Sequence, residues 1–289
     1  MIPGEFDYFS PTTLNEAIAL LSEHGDDAKI LAGGQSLIPA MRFRLAAPEV
    51  LIDINRVEGL SYIKEVNGHL AIGAMTRESE VDESALVQEN YALLADTARV
   101  IADPLVRNMA TVGGNIAHAD PANDHPATML AYGAEVVAVG PSGERVIAID
   151  DFFVGLFENS LEDTEILREI RIPRPAVGSG GCYIKFERKV GDYAVAAVAV
   201  QLTLDGDTCT SARVGLTNVS PVPMRSAGAE AALIGNPLSE ENIHAAGVAA
   251  AQDSDPSADL RGSVEYKRDM VRILTMRAIR KAAERAKGA

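Results

Sequence analysis

Two glycine pairs are the residues in this sequence best suited to chemistry on an anion. Ala32-Gly33-Gly34-Gln35-Ser36 and Thr111-Val112-Gly113-Gly114-Asn115 each follow a short stretch of small or apolar residues. Glycine lets a backbone come close to a diphosphate, present successive N–H groups to it and adopt positive φ, while Ser36, Thr111 and Asn115 add side-chain hydrogen bonds. A single Gly-Gly is most often an ordinary turn, but two of them in separate parts of one chain could grip one diphosphate. Neither has the spacing G-x-G-x-x-G or G-x-x-x-x-G-K-[ST], so the Rossmann and P-loop modes are disfavoured. With a net charge of −15, the chain must rely on local N–H dipoles to hold an anion.

Other reactive residues point less clearly. The stretch His118-Ala119-Asp120-Pro121-Ala122-Asn123-Asp124-His125 invites a metal reading, yet its spacing matches no common zinc motif. A polar turn fits it better, with Asp124 free to accept hydrogen bonds from a ligand hydroxyl. Ser36 lacks the second glycine of a G-x-S-x-G elbow, which argues against a serine hydrolase. Tyr193, in Gly191-Asp192-Tyr193-Ala194, either begins a strand or covers the face of a flat ring. Cys182 and Cys209 are too few for a disulfide framework or for the four thiolates of an iron–sulfur cluster, and buried free thiols are the better expectation.

The elements that must position these residues are legible in outline. The 289 residues suggest two domains, and with 5% aromatics and no Trp the core must be built from Ala, Val, Leu and Ile. Thr13 and Glu16 have capping-box spacing ahead of Leu14, Ala17, Ile18 and Leu21, which predicts a helix leading to a strand at 30–32 and the first glycine turn. A second strand at 50–54 precedes a subdomain boundary near residue 56. Strands at 70–73, 135–139, 145–149 and 166–172 then alternate with helices at 91–102 and 127–132. Pro173, Pro175, Gly178, Gly180 and Gly181 mark a linker, which divides the chain into residues 1–177 and 178–289. Antiparallel strands are expected at 196–204 and 212–219, followed by helices.

Charge and hydropathy exclude several functions. With 26 basic against 41 acidic residues, nucleic acid is a disfavoured partner. No apolar stretch is long enough for a membrane span and the start lacks the features of a signal peptide, so a cytoplasmic protein is expected. Residues 261–289 hold nine basic and three acidic residues, against a net −21 in the rest. That segment reads as the solvated face of a terminal helix or as a docking surface for an acidic partner.

Taken together, AGGQS (32–36), IADPLVRNMA (101–110), TVGGN (111–115) and KVGDYA (189–194) resemble the FAD-binding medium subunits of the molybdenum hydroxylases, the xanthine dehydrogenase family. Within it they are most similar to those of aerobic carbon monoxide dehydrogenases. The resemblance runs from Ile2-Pro3-Gly4 and Phe6-Asp7-Tyr8 to the basic terminal helix. It implies an α+β fold: a vanillyl-alcohol-oxidase-like FAD-binding domain of two subdomains, about 1–56 and 57–177, followed by a C-terminal three-stranded antiparallel sheet with helices. It implies that Ala32, Gly33, Gly34, Gln35 and Ser36 with Thr111, Val112, Gly113, Gly114 and Asn115 hold the FAD diphosphate non-covalently. It also implies that Ile101, Asp124 and Lys185 lie at the cofactor, with Tyr193 beside the isoalloxazine.

By the same resemblance the chain is an electron-transfer oxidoreductase subunit with no catalytic residue or metal of its own. A small subunit with two two-iron two-sulfur clusters and a large molybdenum subunit are implied as partners, in a dimer of heterotrimers, with an external acceptor such as quinone. The complex would be cytoplasmic, or peripheral at the inner face of the membrane. Gln35 stands where the family usually has His, and Val112 where Ile is usual. A flavin subunit of a purine, aldehyde or N-heterocycle hydroxylase is the alternative, and a stand-alone flavin oxidoreductase is a more distant one.

Overall fold

The computed structural model describes residues 2–288. The N-terminal lobe is a parallel three-stranded sheet in the order β1 (Asp7–Phe9), β3 (Val50–Asp53), β2 (Ala28–Leu31). Helix α1 (Leu14–His24) begins in the expected capping box, with the Thr13 hydroxyl accepting from the Glu16 amide and the Glu16 carboxylate from the Thr13 amide. It buries Ala17, Ile18 and Leu21 against Val50, Ile52 and Ile54. The strand expected at 30–32 begins two residues earlier and ends one earlier, and the chain leaves it at Ala32 to enter the first glycine turn and α2 (Leu37–Arg42).

The middle lobe is built on an antiparallel sheet in the order β4 (Ile63–Val66), β5 (His69–Gly73), β10 (Ile166–Pro173), β6 (Glu135–Gly140), β7 (Gly143–Ala148). Between β5 and β6 run α3 (Glu78–Glu83), α4 (Ala85–Asn90), α5 (Ala92–Val100), α6 (Pro104–Arg107), α7 (Val112–His118) and α8 (Asp124–Tyr132). The helix expected at 91–102 stops at Val100. Ala102 takes φ of 47°, and Asp103 then caps α6, accepting from the Val106 amide ahead of Pro104. A small hairpin of β8 (Phe153–Gly155) and β9 (Glu158–Asn159) precedes β10.

The last lobe has three long antiparallel strands, β11 (Ser179–Glu187), β12 (Ala194–Asp205) and β13 (Thr208–Thr217), with β14 (Met224–Arg225) adding a two-residue fourth. Helices α9 (Ala227–Leu233), α10 (Glu240–Asp253) and α11 (Val264–Lys287) cover one face. The first seven residues of β12, Ala194 to Val200, are all apolar because both faces of the strand are buried there. Ala197 and Ala199 join the core of the middle lobe, while Ala196, Val198 and Val200 join that of α9–α11. Glycines make the close approaches possible. A Cβ on Gly180 would overlap the Ala282 carbonyl of α11, and one on Gly215 would overlap the Ala127 carbonyl of α8.

Candidate functional site

The two glycine loops meet. A Cβ on Gly33 would overlap the Met109 carbonyl and lie 2.7 Å from the Ala110 Cα, and one on Gly114 would lie 3.6 Å from the Ala32 Cβ. The first loop thus rests on residues 109–114 across the junction of the first two lobes. Gly34 takes φ of 72°, which glycine adopts without the strain a side chain would bring.

The loops differ in what their amides do. Among the described residues, the N–H groups of Gly33, Gly34, Gln35 and Ser36 have no protein acceptor. In the second loop the amides turn inward: Val112 donates to Thr76 O at 3.1 Å, Gly113 to Ala74 O at 3.0 Å, Gly114 to Thr111 Oγ1 at 3.2 Å and Asn115 to Thr111 O at 2.9 Å. What this loop has left is side-chain chemistry, above all Asn115, whose buried Oδ1 has no partner. Four open amides in a row with the Ser36 hydroxyl, beside an unpartnered amide side chain, fit a ligand carrying a diphosphate and hydroxyls.

From Asn115 the site continues into the acidic turn. Asn123 Nδ2 donates to Asn115 O at 3.0 Å, and the Asp120 carboxylate accepts from the Ala122 amide at 2.8 Å, so the histidine-rich stretch forms a polar turn. The two histidines diverge: the His118 ring lies tilted against Phe157 with centroids 5.2 Å apart, and His125 is fully buried with Nε2 2.7 Å from Glu78 Oε2. Burial holds the His118 imidazole below its ordinary pKa. Among the described residues no three His, Cys, Asp or Glu side chains are grouped to hold a metal.

Asp124, the first residue of α8, is buried and engaged on both oxygens. Oδ1 accepts from the Tyr183 hydroxyl at 2.6 Å and Oδ2 from Lys185 Nζ at 2.9 Å. Burial raises the Asp124 carboxyl above the usual carboxylate range, against the opposing pull of the Lys185 ammonium and the Tyr183 hydroxyl. Lys185 also donates to Val100 O at 3.0 Å, which ties β11 to the bend where Ile101 is buried. Gly191, at φ 85°, would place a Cβ 3.3 Å from Ala102 O, so the 189–193 turn lies against the same bend. Tyr193 is 44% exposed, and its ring lies 5.8 Å from the Arg261 guanidinium. Burial, reinforced by Asp120 and Asp124, raises the Tyr193 phenol.

Three residues outside the sequence-derived set belong to this arc. Tyr183 completes the Asp124 network, and Asn55 and Arg77 link the first glycine loop to the residues just ahead of the second. Asn55 Nδ2 donates to Ala32 O at 2.9 Å, Arg77 Nη2 to Asn55 Oδ1 at 2.6 Å, and Arg77 Nη1 to Met109 O. Asn55 and Arg77 lie 22 positions apart with no shared motif, so no local pattern could have paired them. Cys182 and Cys209 are buried free thiols in the last lobe, and burial pushes the Cys182 thiol up to about 12. Of the nine basic residues after position 260, six are in ion pairs within the chain: Arg261, Lys267, Arg272, Arg280, Arg285 and Lys287. Most of that charge is therefore spent internally. No helix among the described residues is long and apolar enough to cross a membrane.

Comparison with known proteins matches this architecture along nearly its whole length. Residues 4–175 match the FAD binding domain in molybdopterin dehydrogenase, and residues 181–282 match the CO dehydrogenase flavoprotein C-terminal domain. The carbon monoxide dehydrogenase medium chain of Hydrogenophaga pseudoflava is 45% identical over 98% of this chain and 98% of its own. The 6-hydroxypseudooxynicotine dehydrogenase complex subunit alpha of Paenarthrobacter nicotinovorans is 39% identical over 99% and 97%. A solved structure of the Hydrogenophaga pseudoflava carbon monoxide dehydrogenase, lacking the Mo-pyranopterin moiety of its molybdenum cofactor, superposes with a TM-score of 0.97 at 46% identity over 99% of each chain. The fold, the two matched domains and the full-length identity together make this chain a member of the FAD-binding flavoprotein family of the molybdopterin dehydrogenases.

Proposed function

We propose that this chain is the FAD-binding electron-transfer subunit of an aerobic, molybdenum-containing carbon monoxide dehydrogenase. The observation that carries the reading is the 45% identity to a carbon monoxide dehydrogenase medium chain over 98% of both chains. The open amides of Gly33–Ser36 support the cofactor assignment.

In this reading the cofactor is held without a covalent link. The amides of Gly33, Gly34, Gln35 and Ser36 take the diphosphate, with Thr111 and Asn115 contributing side chains from the second loop. Ala32, Val112, Gly113 and Gly114 shape the cradle. Ile101 and the Asp124 network border the cofactor, Lys185 fixes Asp124, and the Tyr193 ring lies beside the isoalloxazine. Gln35 donates from a neutral amide where the family's usual His would titrate, so binding at this position is independent of an imidazole pKa. FAD supplies, when bound, a centre that takes electrons singly and releases them as a pair.

No side chain here is called on to act as acid or base toward the substrate. Carbon monoxide is oxidised on a large molybdenum subunit, and electrons arrive through two two-iron two-sulfur clusters of a small subunit. They leave to an external acceptor such as quinone. The assembly is a dimer of heterotrimers, cytoplasmic or held at the inner face of the membrane through the complex. Native co-purification followed by mass spectrometry tests this. Recovery of an iron–sulfur and a molybdenum subunit, in a complex reduced by carbon monoxide, is the expected result. A complex reduced instead by a purine, an aldehyde or an N-heterocycle would move the assignment to another hydroxylase of the family.

A further inference from the structure

We infer that Asn55 and Arg77 form a clasp that sets the spacing and peptide orientation of the two cofactor loops, making them positioning residues for binding the FAD diphosphate. The inference rests on the reading of those loops given above. Asn55 is exposed, yet its side chain is fully committed. Nδ2 donates to Ala32 O at 2.9 Å and to Asp53 Oδ1 at 2.6 Å, and Oδ1 accepts from Arg77 Nη2 at 2.6 Å. Two acceptors on one side of the amide and a guanidinium on the other fix which way it faces. Asp53 is held in turn by the Tyr8 hydroxyl at 2.5 Å.

One end of the clasp grips a carbonyl of the first loop and the other a carbonyl two residues ahead of the second. Ala32 O belongs to the first loop, and Met109 O, bonded by Arg77 Nη1, stands just ahead of the second. Met109 O is also the atom that Gly33 abuts through its missing Cβ, so the two loops are braced against each other where Arg77 holds on. The Ala32–Gly33 peptide is trans, as are all others described. Its N–H therefore points opposite to the carbonyl that Asn55 holds. The clasp thus turns the first of the four open amides away from Asn55 and leaves it without a protein acceptor. Arg77 suits the task because its planar fork reaches two acceptors at once, which a lysine ammonium on a single stem does not reproduce.

The test titrates the apo form of the full chain with FAD, followed by flavin fluorescence, and separately with ADP, followed by calorimetry. Wild type is compared with Asn55→Ala, Arg77→Gln, Arg77→Lys and the Asn55→Ala/Arg77→Gln double variant. Loss of hydrogen bonds to a charged group predicts that each single variant weakens both ligands by about 10- to 100-fold. Arg77→Lys is expected to weaken them similarly, and the double variant no more than the worse single, because the two residues act as one unit. ADP shares the adenosine and diphosphate of FAD and lacks its ribityl-isoalloxazine, so equal losses for ADP and FAD place the effect in the half of the cofactor that the loops hold and not at the flavin ring.

Unchanged ADP and FAD affinity in variants whose apo forms melt like wild type would overturn the clasp. So would a double variant whose loss is the product of the two singles. If the Arg77 variants fail to fold, Asn55→Ala and Asn55→Asp decide alone, since Asn55 contributes nothing to a core, and unaltered ADP binding in both would overturn the proposal. A wild-type chain that binds no FAD would contradict the functional reading itself, whereas wild-type binding with unaffected variants contradicts only the clasp.

Discussion

Gly33 shows how a residue chosen for one reason is required for another. Its sequence context predicts close approach to a diphosphate, but in the structure the space a Cβ would take is filled by Met109 O and the Ala110 Cα. Gly33→Val is therefore expected to push the two loops apart, costing about 1–3 kcal/mol of stability and lowering flavin occupancy together. Flavin content per folded chain and the melting temperature of the apo form check this. Full occupancy at wild-type stability would count against it. Asp124 gives a second prediction: Asp124→Asn leaves Lys185, whose side chain is 3% exposed, with only the more distant Glu187 carboxylate, 3.5 Å away, to oppose its buried charge. A destabilisation of about 3 kcal/mol is expected from breaking such a pair, read as a shift in the urea midpoint. Tyr183→Phe, which removes one neutral donor and leaves the ion pair, should cost about half as much.

Between elements, the middle and last lobes are joined by helix-on-sheet packing and by a few arginine clamps. Asp150, in the turn after β7, accepts from Arg213 of β13 at 2.6 Å and from Arg225 of β14 at 2.9 Å. Burial pushes its carboxyl up, but the two arginine hydrogen bonds outweigh burial and hold it below its ordinary value. A depressed carboxylate stabilises the fold above its unfolded pKa of about 3.9 and loses that contribution as pH falls through the lower folded value. With the side chain 41% exposed, solvent screening limits the clamp to about 1 kcal/mol or less. The stability gap between wild type and Asp150→Asn should accordingly be constant near neutrality and close below about pH 4 in denaturant melts. A gap that persists unchanged into acid would contradict the clamp.

Legibility in the sequence followed the range of the interactions. The Thr13–Glu16 box and the alternating strands declared themselves because capping and periodicity act over a few residues. The bend at Ile101–Ala102 did not, since Arg107 claims the Ile101 carbonyl and Lys185 of a distant strand claims that of Val100 just before it. In the site, Gly33, Gly114 and Asp124 could be singled out by residue type. That the second loop's amides turn inward, and that Asn55 and Arg77 bridge the loops, depends on contacts between segments far apart in sequence.

For the molecule as a whole, the account is of a chain that holds a redox cofactor and depends on partners for everything upstream of it. Its two cysteines lie in the core of the last lobe and cannot carry a cluster. Five of the eight basic residues of its terminal helix are ion-paired with the chain's own carboxylates. The most direct test is to expose the FAD-loaded isolated chain and the assembled complex to carbon monoxide without acceptor and to follow the flavin's visible absorbance. The account predicts an oxidised spectrum that does not change in the isolated chain, and bleaching in the assembly with the iron–sulfur and molybdenum subunits. Bleaching of the isolated chain at the rate of the complex would contradict it.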